Sequence, residues 1–197
     1  MTHRVTATII LMTAMLMDLM DSTITNVALP AISTDLGATP TQLEWTLVGY
    51  VVAFATLLIT GGRLGDIYGR KRIFLVGVIG FTCASVFASL AWSGNALITA
   101  RIIQGAFAGV MVPQVLSSVQ VMYAPEERGP VFGIIGSLNA LGVVAGLLLG
   151  GWLVTANLFG TGWRSIFLIN VPVGIVLTVM AFLCIPESRS EHPLRLD

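Results

Sequence analysis

Charge is what this sequence has least of. Acidic and basic residues together make up 10% of its 197 residues, where an ordinary soluble domain carries roughly 25%, and its mean hydropathy is +0.90. A water-soluble fold is excluded on that ground. The formal net charge is zero, so there is no electrostatic footprint for nucleic acid, which is not expected as a partner. Histidine is confined to His3 and His192 in the tails, and there is no H-E-x-x-H or G-x-S-x-G, so an intramembrane enzyme is not expected. Cysteine is scarce too. Cys83 and Cys184 each fall inside an apolar block and read as small hydrophobes, implying neither a disulfide framework nor a metal site.

What the sequence has instead is long apolar runs separated by short polar punctuation. Six blocks reach the roughly 20 residues a spanning helix needs: Val5 to Leu29, Trp45 to Gly62, Ile73 to Trp92, Ala96 to Tyr123, Val131 to Val154 and Ser165 to Ile185. Pro30 and Pro40, Ser93-Gly94-Asn95, Pro125 and Gly129, Gly160 and Gly162, and Pro186 mark the loops between and after them. The first block has no small-residue cleavage site and contains Asp18, Asp21 and Asn26, so it reads as a retained span and not a signal peptide. No loop is long enough for another domain, and residues 1–197 are expected to form a single six-helix transmembrane domain, an all-α membrane fold.

Basic residues fix the expected orientation. Arg4, Arg63, Arg70, Lys71, Arg72, Arg128, Arg189 and Arg195 fall at the amino terminus, in the second and fourth loops, or in the tail, which share one side if six helices alternate. The opposite loops hold Arg164 alone. Both termini are therefore expected in the cytoplasm, with the chain multi-pass in the cytoplasmic (inner) membrane. Moving the count by one helix would scatter the basic residues over both faces.

An ionised side chain near the bilayer centre costs about 3 kcal/mol on insertion scales, so each one asks for a reason. Asp18 and Asp21 are spaced i,i+3 and share a face of the first span. Carboxylates held out of water and close to one another are suited to binding and releasing protons; a static polar cluster or a wet interface is the alternative. Arg101, one turn into the fourth span and followed by Gln104, faces either the bundle interior and an acid of the first span, or snorkels to a boundary about 8 Å away. Between the second and third spans, Gly62-Arg63-Leu64-Gly65-Asp66-Ile67-Tyr68-Gly69-Arg70-Lys71-Arg72 has more than an anchor requires. Its glycines, Gly62, Gly65 and Gly69, allow a tight turn. Asp66 can accept charge-assisted hydrogen bonds from an arginine or a helix amino terminus, and such a loop can latch helix ends. In the fifth span Gly142, Gly146 and Gly150 form a small-xxx-small series, either for close packing or as a smooth face along which helices slide.

With these residues in view the chain resembles the major facilitator superfamily, in particular its fourteen-span drug:proton antiporter family. The second loop is similar to the superfamily's G-x-L-[AG]-D-x-x-G-R-[KR], and Asp21 to Pro30 to the drug exporters' first-span motif D-x-T-[IV]-x-N-V-A-L-P, Asn26 included. Arg101-x-x-Gln104-Gly105 resembles the fourth-span motif, and Gly133, Gly142, Gly146, Gly150 and Gly151 resemble the antiporter glycine pattern of the fifth. Leu147 stands there in place of the motif's proline, and its absence removes an expected kink. Trp163-Arg164 and Phe167 to Gly174 look like the family's entry into the sixth span.

The resemblance implies that this is the amino-terminal half-bundle of a proton-coupled exporter of small amphiphilic drugs. Its partners would be a drug-like substrate, protons, the lipid bilayer and a further, carboxy-terminal helix bundle. Asp21, Arg101 and Asp18 would couple the proton. Gly62, Gly65, Asp66, Gly69, Arg70 and Lys71 would form a conformational latch, and Asn26, Gln104, Gly105, Gly142, Gly146, Gly150 and Gly151 would line the substrate cavity or pack helices. No cofactor is implied; the proton gradient is the energy source. A metabolite uniporter or symporter, and a truncated or non-transporting membrane partner, are the alternatives.

Overall fold

The computed structural model describes residues 2–157 and 160–189, and its side chains from Arg4 onward. Arg195 and His192 of the expected tail, and the His3 side chain, lie outside the described residues. The chain folds into helices α1 (Thr2–Leu36), α2 (Pro40–Tyr68), α3 (Arg70–Ser89), α4 (Gly94–Met122) and α5 (Pro125–Ala156). A 3₁₀ turn at Gly162–Arg164 then leads into a short α6 (Ser165–Leu168) and into α7 (Asn170–Cys184). Counting the 3₁₀ turn, α6 and α7 as one, six segments are long and apolar enough to cross a bilayer, and no strand occurs among the described residues.

Local chemistry sets most of the boundaries. Gly37, at φ 59°, closes the turn after α1. Thr39 and Gln42 then form a capping box, the Gln42 amide donating to Thr39 Oγ1 at 3.3 Å and Thr39 N donating to Gln42 Oε1 at 3.0 Å, with Pro40 at the first helical position. Ser93 Oγ accepts the Ala96 amide at 3.2 Å to start α4. Asn157, in the left-handed region at φ 44°, ends α5.

Two expectations from sequence need correction. Pro30 does not end the first span but lies inside α1, which continues to Leu36. A proline deletes one backbone bond and can be carried within a spanning helix when packing holds both sides, as Ala28 and Ile32 do here by being fully buried. The second span does not stop at Gly62; α2 runs through Gly62 and Gly65 to Tyr68, so neither glycine makes a turn. The sixth span runs as one path from Gly162 to Cys184: between α6 and α7, Ile169 keeps helical angles (φ −62°, ψ −27°) and donates its amide to the Ser165 carbonyl at 3.1 Å. Helix α5 runs without a break through Leu147, which is half-exposed.

Glycines bring the helices together. On α4, a methyl added at Gly109 would lie 2.5 Å from the Phe54 carbonyl oxygen, and one at Gly61 of α2 would lie 2.5 Å from the Gly109 carbonyl oxygen, so α2 and α4 cross backbone on backbone. Helix α5 meets α1 in the same manner, a methyl at Gly146 falling 2.9 Å from Thr23 Cβ and one at Gly150 falling 3.2 Å from Ile24 Cα. Close approach of this kind replaces the hydrophobic effect, which does not operate between helices in hydrocarbon. Gly109→Ala is expected to destabilise the bundle by about 1 to 3 kcal/mol through overpacking. Gly151→Ala, at a site with no atom within 4 Å, should leave it unchanged or slightly firmer. Thermal unfolding of the detergent-solubilised protein checks both.

At one end of the bundle Asp35 of α1 accepts hydrogen bonds from Arg164 Nη1 at 2.5 Å and from Trp163 Nε1 at 3.0 Å, while Arg164 Nη2 donates to the Ala91 carbonyl at 3.1 Å. At the other, Arg4 pairs with Glu127 at 2.9 Å and stacks on Tyr123. The ends are polar clasps, and the wall between them is apolar.

Candidate functional site

Inside the bundle the apolar packing is interrupted by a buried polar cluster to which five of the six spans contribute. Asp21 of α1 is 2% exposed and Arg101 of α4 is 1% exposed. Arg101 lies seven residues into α4, about 10 Å along its axis, and points inward. Snorkelling is therefore not its role. Its Nη1 donates to Asp21 Oδ2 at 2.5 Å and to Gln104 Oε1 at 2.6 Å, and its Nε to the Thr46 carbonyl at 3.4 Å. The i,i+3 spacing of Arg101 and Gln104 puts both side chains on the face of α4 that meets α1.

The second carboxylate oxygen is equally occupied. Asp21 Oδ1 accepts from Asn170 Nδ2 of α7 at 2.6 Å and from Gln104 Nε2 at 3.0 Å. Both amides also donate to Ser85 Oγ of α3, at 3.3 Å and 2.9 Å, and Ser85 passes its own hydrogen to the Phe81 carbonyl. Asp21 thus receives three N–H donors. A buried charge is tolerable only where it is paired and hydrogen-bonded in this way.

Asp18, one turn earlier, does not touch Arg101. Its Oδ1 accepts the Tyr50 hydroxyl of α2, and the Tyr50 ring lies under the guanidinium, 4.1 Å from Arg101 Cζ to the ring centre, with Phe167 at 5.7 Å on the sixth span. The two acids are therefore linked through Tyr50 and Arg101. Tyr50, Ser85 and Asn170 were not anticipated as members of the site. Asn170 had a legible signal, an amide inside an apolar run within the Phe167 to Gly174 motif; a serine and a tyrosine in spanning helices are too common to mark.

The Gly62 to Arg72 segment forms a second constellation. Gly69 alone makes the turn, at φ 106°. Arg70 Nη2 donates to Asp66 Oδ1 at 2.6 Å, the arginine partner expected from sequence. The segment is fastened to the end of the sixth span, which the sequence did not suggest. Arg70 N donates to the Ser188 carbonyl at 2.9 Å, Lys71 N to Glu187 Oε1 at 3.2 Å, and Lys71 Nζ to the Phe182 carbonyl at 2.7 Å. Gly65 makes room for the side-chain amide of Gln114, whose Nε2 donates to the Gly61 carbonyl at 2.7 Å. Gly62 faces Pro113 at ordinary contact distance. Two buried polar atoms in this region, Arg70 Nε and Gln114 Oε1, have no hydrogen-bond partner among the described residues.

The remaining candidates divide. Gly105 lies against the Tyr50 backbone, and Gly142, Gly146 and Gly150 against α1, so these four pack helices. Gly151 meets nothing within 4 Å. Asn26 is exposed and spends its amide on the Ser22 carbonyl of its own helix at 3.0 Å. Among the described residues, no group of three or more His, Cys, Asp or Glu side chains is placed to hold a metal ion.

Comparison with known proteins places this geometry. Residues 11–196 match the family model of the Major Facilitator Superfamily. The chain is 48% identical to a probable actinorhodin transporter of Streptomyces coelicolor over 95% of its own length and 32% of that protein's. It is 40% identical to a cephamycin export protein of Amycolatopsis lactamdurans over 98% and 39% of the two chains. It therefore spans about a third of the length of the curated relatives it matches. Its fold superposes, with a TM-score of 0.80 at 22% identity, on a bacterial homologue of the human lysosomal transporter Spinster, solved inward-facing and unoccupied, covering 98% of this chain and 46% of that one. Six apolar spans, a polar cluster buried between them and a match over nearly the whole sequence lead to one assignment: the chain belongs to the Major Facilitator Superfamily, as a multi-pass membrane protein.

Proposed function

We propose that this chain is the amino-terminal bundle of a proton-driven exporter of small amphiphilic molecules, working with a second helix bundle in the cytoplasmic membrane. The observation that carries this is Asp21, a buried carboxylate with both oxygens bonded to side chains of the fourth and sixth spans. A static structural role does not require an ion there, because well-packed apolar side chains of similar volume stabilise as well or better. A transporter does require it, since a proton must be held out of reach of both aqueous phases at some point of the cycle. The names of the relatives, which are an actinorhodin transporter, a cephamycin export protein and a puromycin resistance protein, favour efflux of natural-product antibiotics.

In this reading Asp21 cycles between ionised and protonated forms with Arg101 as its ion-pair partner. Each proton entering is driven by about 2.3 kcal/mol per 100 mV of membrane potential and about 1.4 kcal/mol per unit of pH difference, enough for a tenfold drug gradient. Asp66, Arg70 and Lys71 serve as a latch made in one state and broken in the other. The open donor on Arg70 and the open acceptor on Gln114 support a second arrangement of that turn, in which those atoms find partners. The end of the bundle bearing Arg4, Arg70, Lys71, Arg72 and Arg128 would face the cytoplasm, in keeping with the distribution of basic residues.

The test is efflux of an amphiphilic antibiotic from vesicles containing the full-length protein. An imposed pH gradient should drive substrate against its concentration, and a protonophore should return transport to the leak. Substrate movement indifferent to the gradient would replace this reading with facilitated diffusion.

A further inference from the structure

Protonation of Asp21 poses a stereochemical problem that the site can solve in one way. All three bonds to the carboxylate come from N–H donors. A proton arriving there converts an acceptor oxygen into an O–H, which then needs an acceptor of its own. On Oδ2 it would confront Arg101, which has donors alone. On Oδ1 it faces two amides. Gln104 cannot turn its oxygen toward Asp21, because Oε1 already accepts from Arg101 Nη1 at 2.6 Å, and reversing the amide would set Nε2 against the guanidinium. Asn170 has no such tie. Within the cluster it uses only Nδ2, toward Asp21 Oδ1 and Ser85 Oγ.

Asn170 also stands where a reversal can act on the fold. It is the first residue of α7, two residues before Pro172, whose missing N–H leaves one backbone hydrogen bond of the sixth span unmade although Ile169 keeps helical angles. Asn170 forms part of the wall of a cleft of about 190 Å³ between α1 and the sixth span, lined by Met17, Met20, Ile24, Ile169 and Val173 among others. The residue therefore borders open space, and the helix around it lacks the backbone bond that Pro172 cannot donate.

Resting on the proton-coupling reading above, we propose that Asn170 is a positioning residue that senses the protonation of Asp21 by reversing its amide. It donates to the ionised carboxylate, accepts from the protonated one, and passes the difference to the helix around Pro172. The proton adds to Oδ1 and the new O–H donates to Asn170 Oδ1; no other bond to hydrogen forms or breaks covalently. The charged and titratable groups around Asp21 are Asp18 on α1, Tyr50 on α2 and Arg101 on α4. Helices α3, α5 and α7 bring no acid or base to it, their charged residues lying at helix ends and Cys83 of α3 being exposed on another face.

The experiment uses the full-length protein in nanodiscs with two readouts. The infrared carbonyl band of protonated Asp21, assigned by its absence in Asp21→Asn, reports proton uptake. The distance between spin labels at Ile9→Cys on α1 and Val176→Cys on α7, with the native cysteines replaced, reports the sixth span. In the parent the two should change together with pH. In Asn170→Ala the band should still titrate while the pH-driven distance change is lost, and Asn170→Gln, whose extra methylene the cleft can take, should restore it. If the alanine variant is not recovered folded, Asn170→Leu is measured in its place with the same criteria. A distance change that persists in the folded alanine or leucine variant overturns the role of Asn170 while leaving proton coupling intact. A parent whose Asp21 band never titrates overturns the proton-coupling reading itself, and the role of Asn170 with it.

Discussion

Asp21→Asn should give a protein that is made, inserted and folded but does not couple, with proton-driven efflux falling by about 100-fold or more, the lower range for loss of a positioned proton-transfer group. The substitution preserves volume and can still accept from Gln104 and Asn170 on its remaining oxygen, so the helices stay in place. What it removes is the second acceptor, now an NH₂ set against Arg101 Nη1, which had its 2.5 Å bond there. Arg101 keeps Gln104 Oε1, the Thr46 carbonyl and the Tyr50 ring, enough to prevent collapse. Vesicle efflux with and without an imposed pH gradient separates the two effects. Coupled transport at the parent rate would take Asp21 out of the mechanism.

Arg101→Ala is expected to do something different and larger for stability. It leaves an ionised carboxylate in the interior with its strongest partner gone, and breaking a buried pair on one side destabilises by about 3 to 5 kcal/mol. That is a large part of the roughly 5 to 15 kcal/mol that holds a domain together, so little folded protein should be recovered by size-exclusion chromatography in detergent. Arg101→Lys should recover it poorly, since one ammonium cannot reach Asp21, Gln104 and the Thr46 carbonyl in the plane the guanidinium occupies. The double variant Asp21→Leu, Arg101→Leu should return folded protein without transport, because removing both charges also removes the desolvation penalty. Recovery of Arg101→Ala at the parent level would mean the pair contributes nothing to the fold.

The parts of this architecture that could be read from sequence are those where one residue type contradicts its neighbours. Asp21 and Arg101 stood out because ions in apolar runs need partners, and each proved to be the other's. The six spans were equally plain, since hydrocarbon admits few helical lengths. Features carried by ordinary residues were hidden. Tyr50 and Ser85 are unremarkable in a spanning helix until a neighbour's hydrogen bonds are counted. Glu187, at the edge of a polar tail, gave no hint that it would cap the start of α3. Glycine misled in one direction: Gly62 and Gly65 looked like a turn, but a helix that must lie against another backbone needs glycine along its side, and the sequence does not distinguish the two uses. Pro30 misled for a related reason, because a proline that would end a helix in water can stay inside one whose flanks are packed.

Helix α5 is fastened unevenly. Glu127 and Arg128 tie its first turn to α1 and α4, and the Leu153 carbonyl near its end accepts from Ser165. Between Pro130 and Trp152, no described side chain bonds to another helix, and the contact with α1 is made through Gly142, Gly146 and Gly150. That stretch behaves as a beam pinned at both ends. It can bow or creep along its neighbour while exchanging one set of van der Waals contacts for another, and no hydrogen bond has to be broken for it to move.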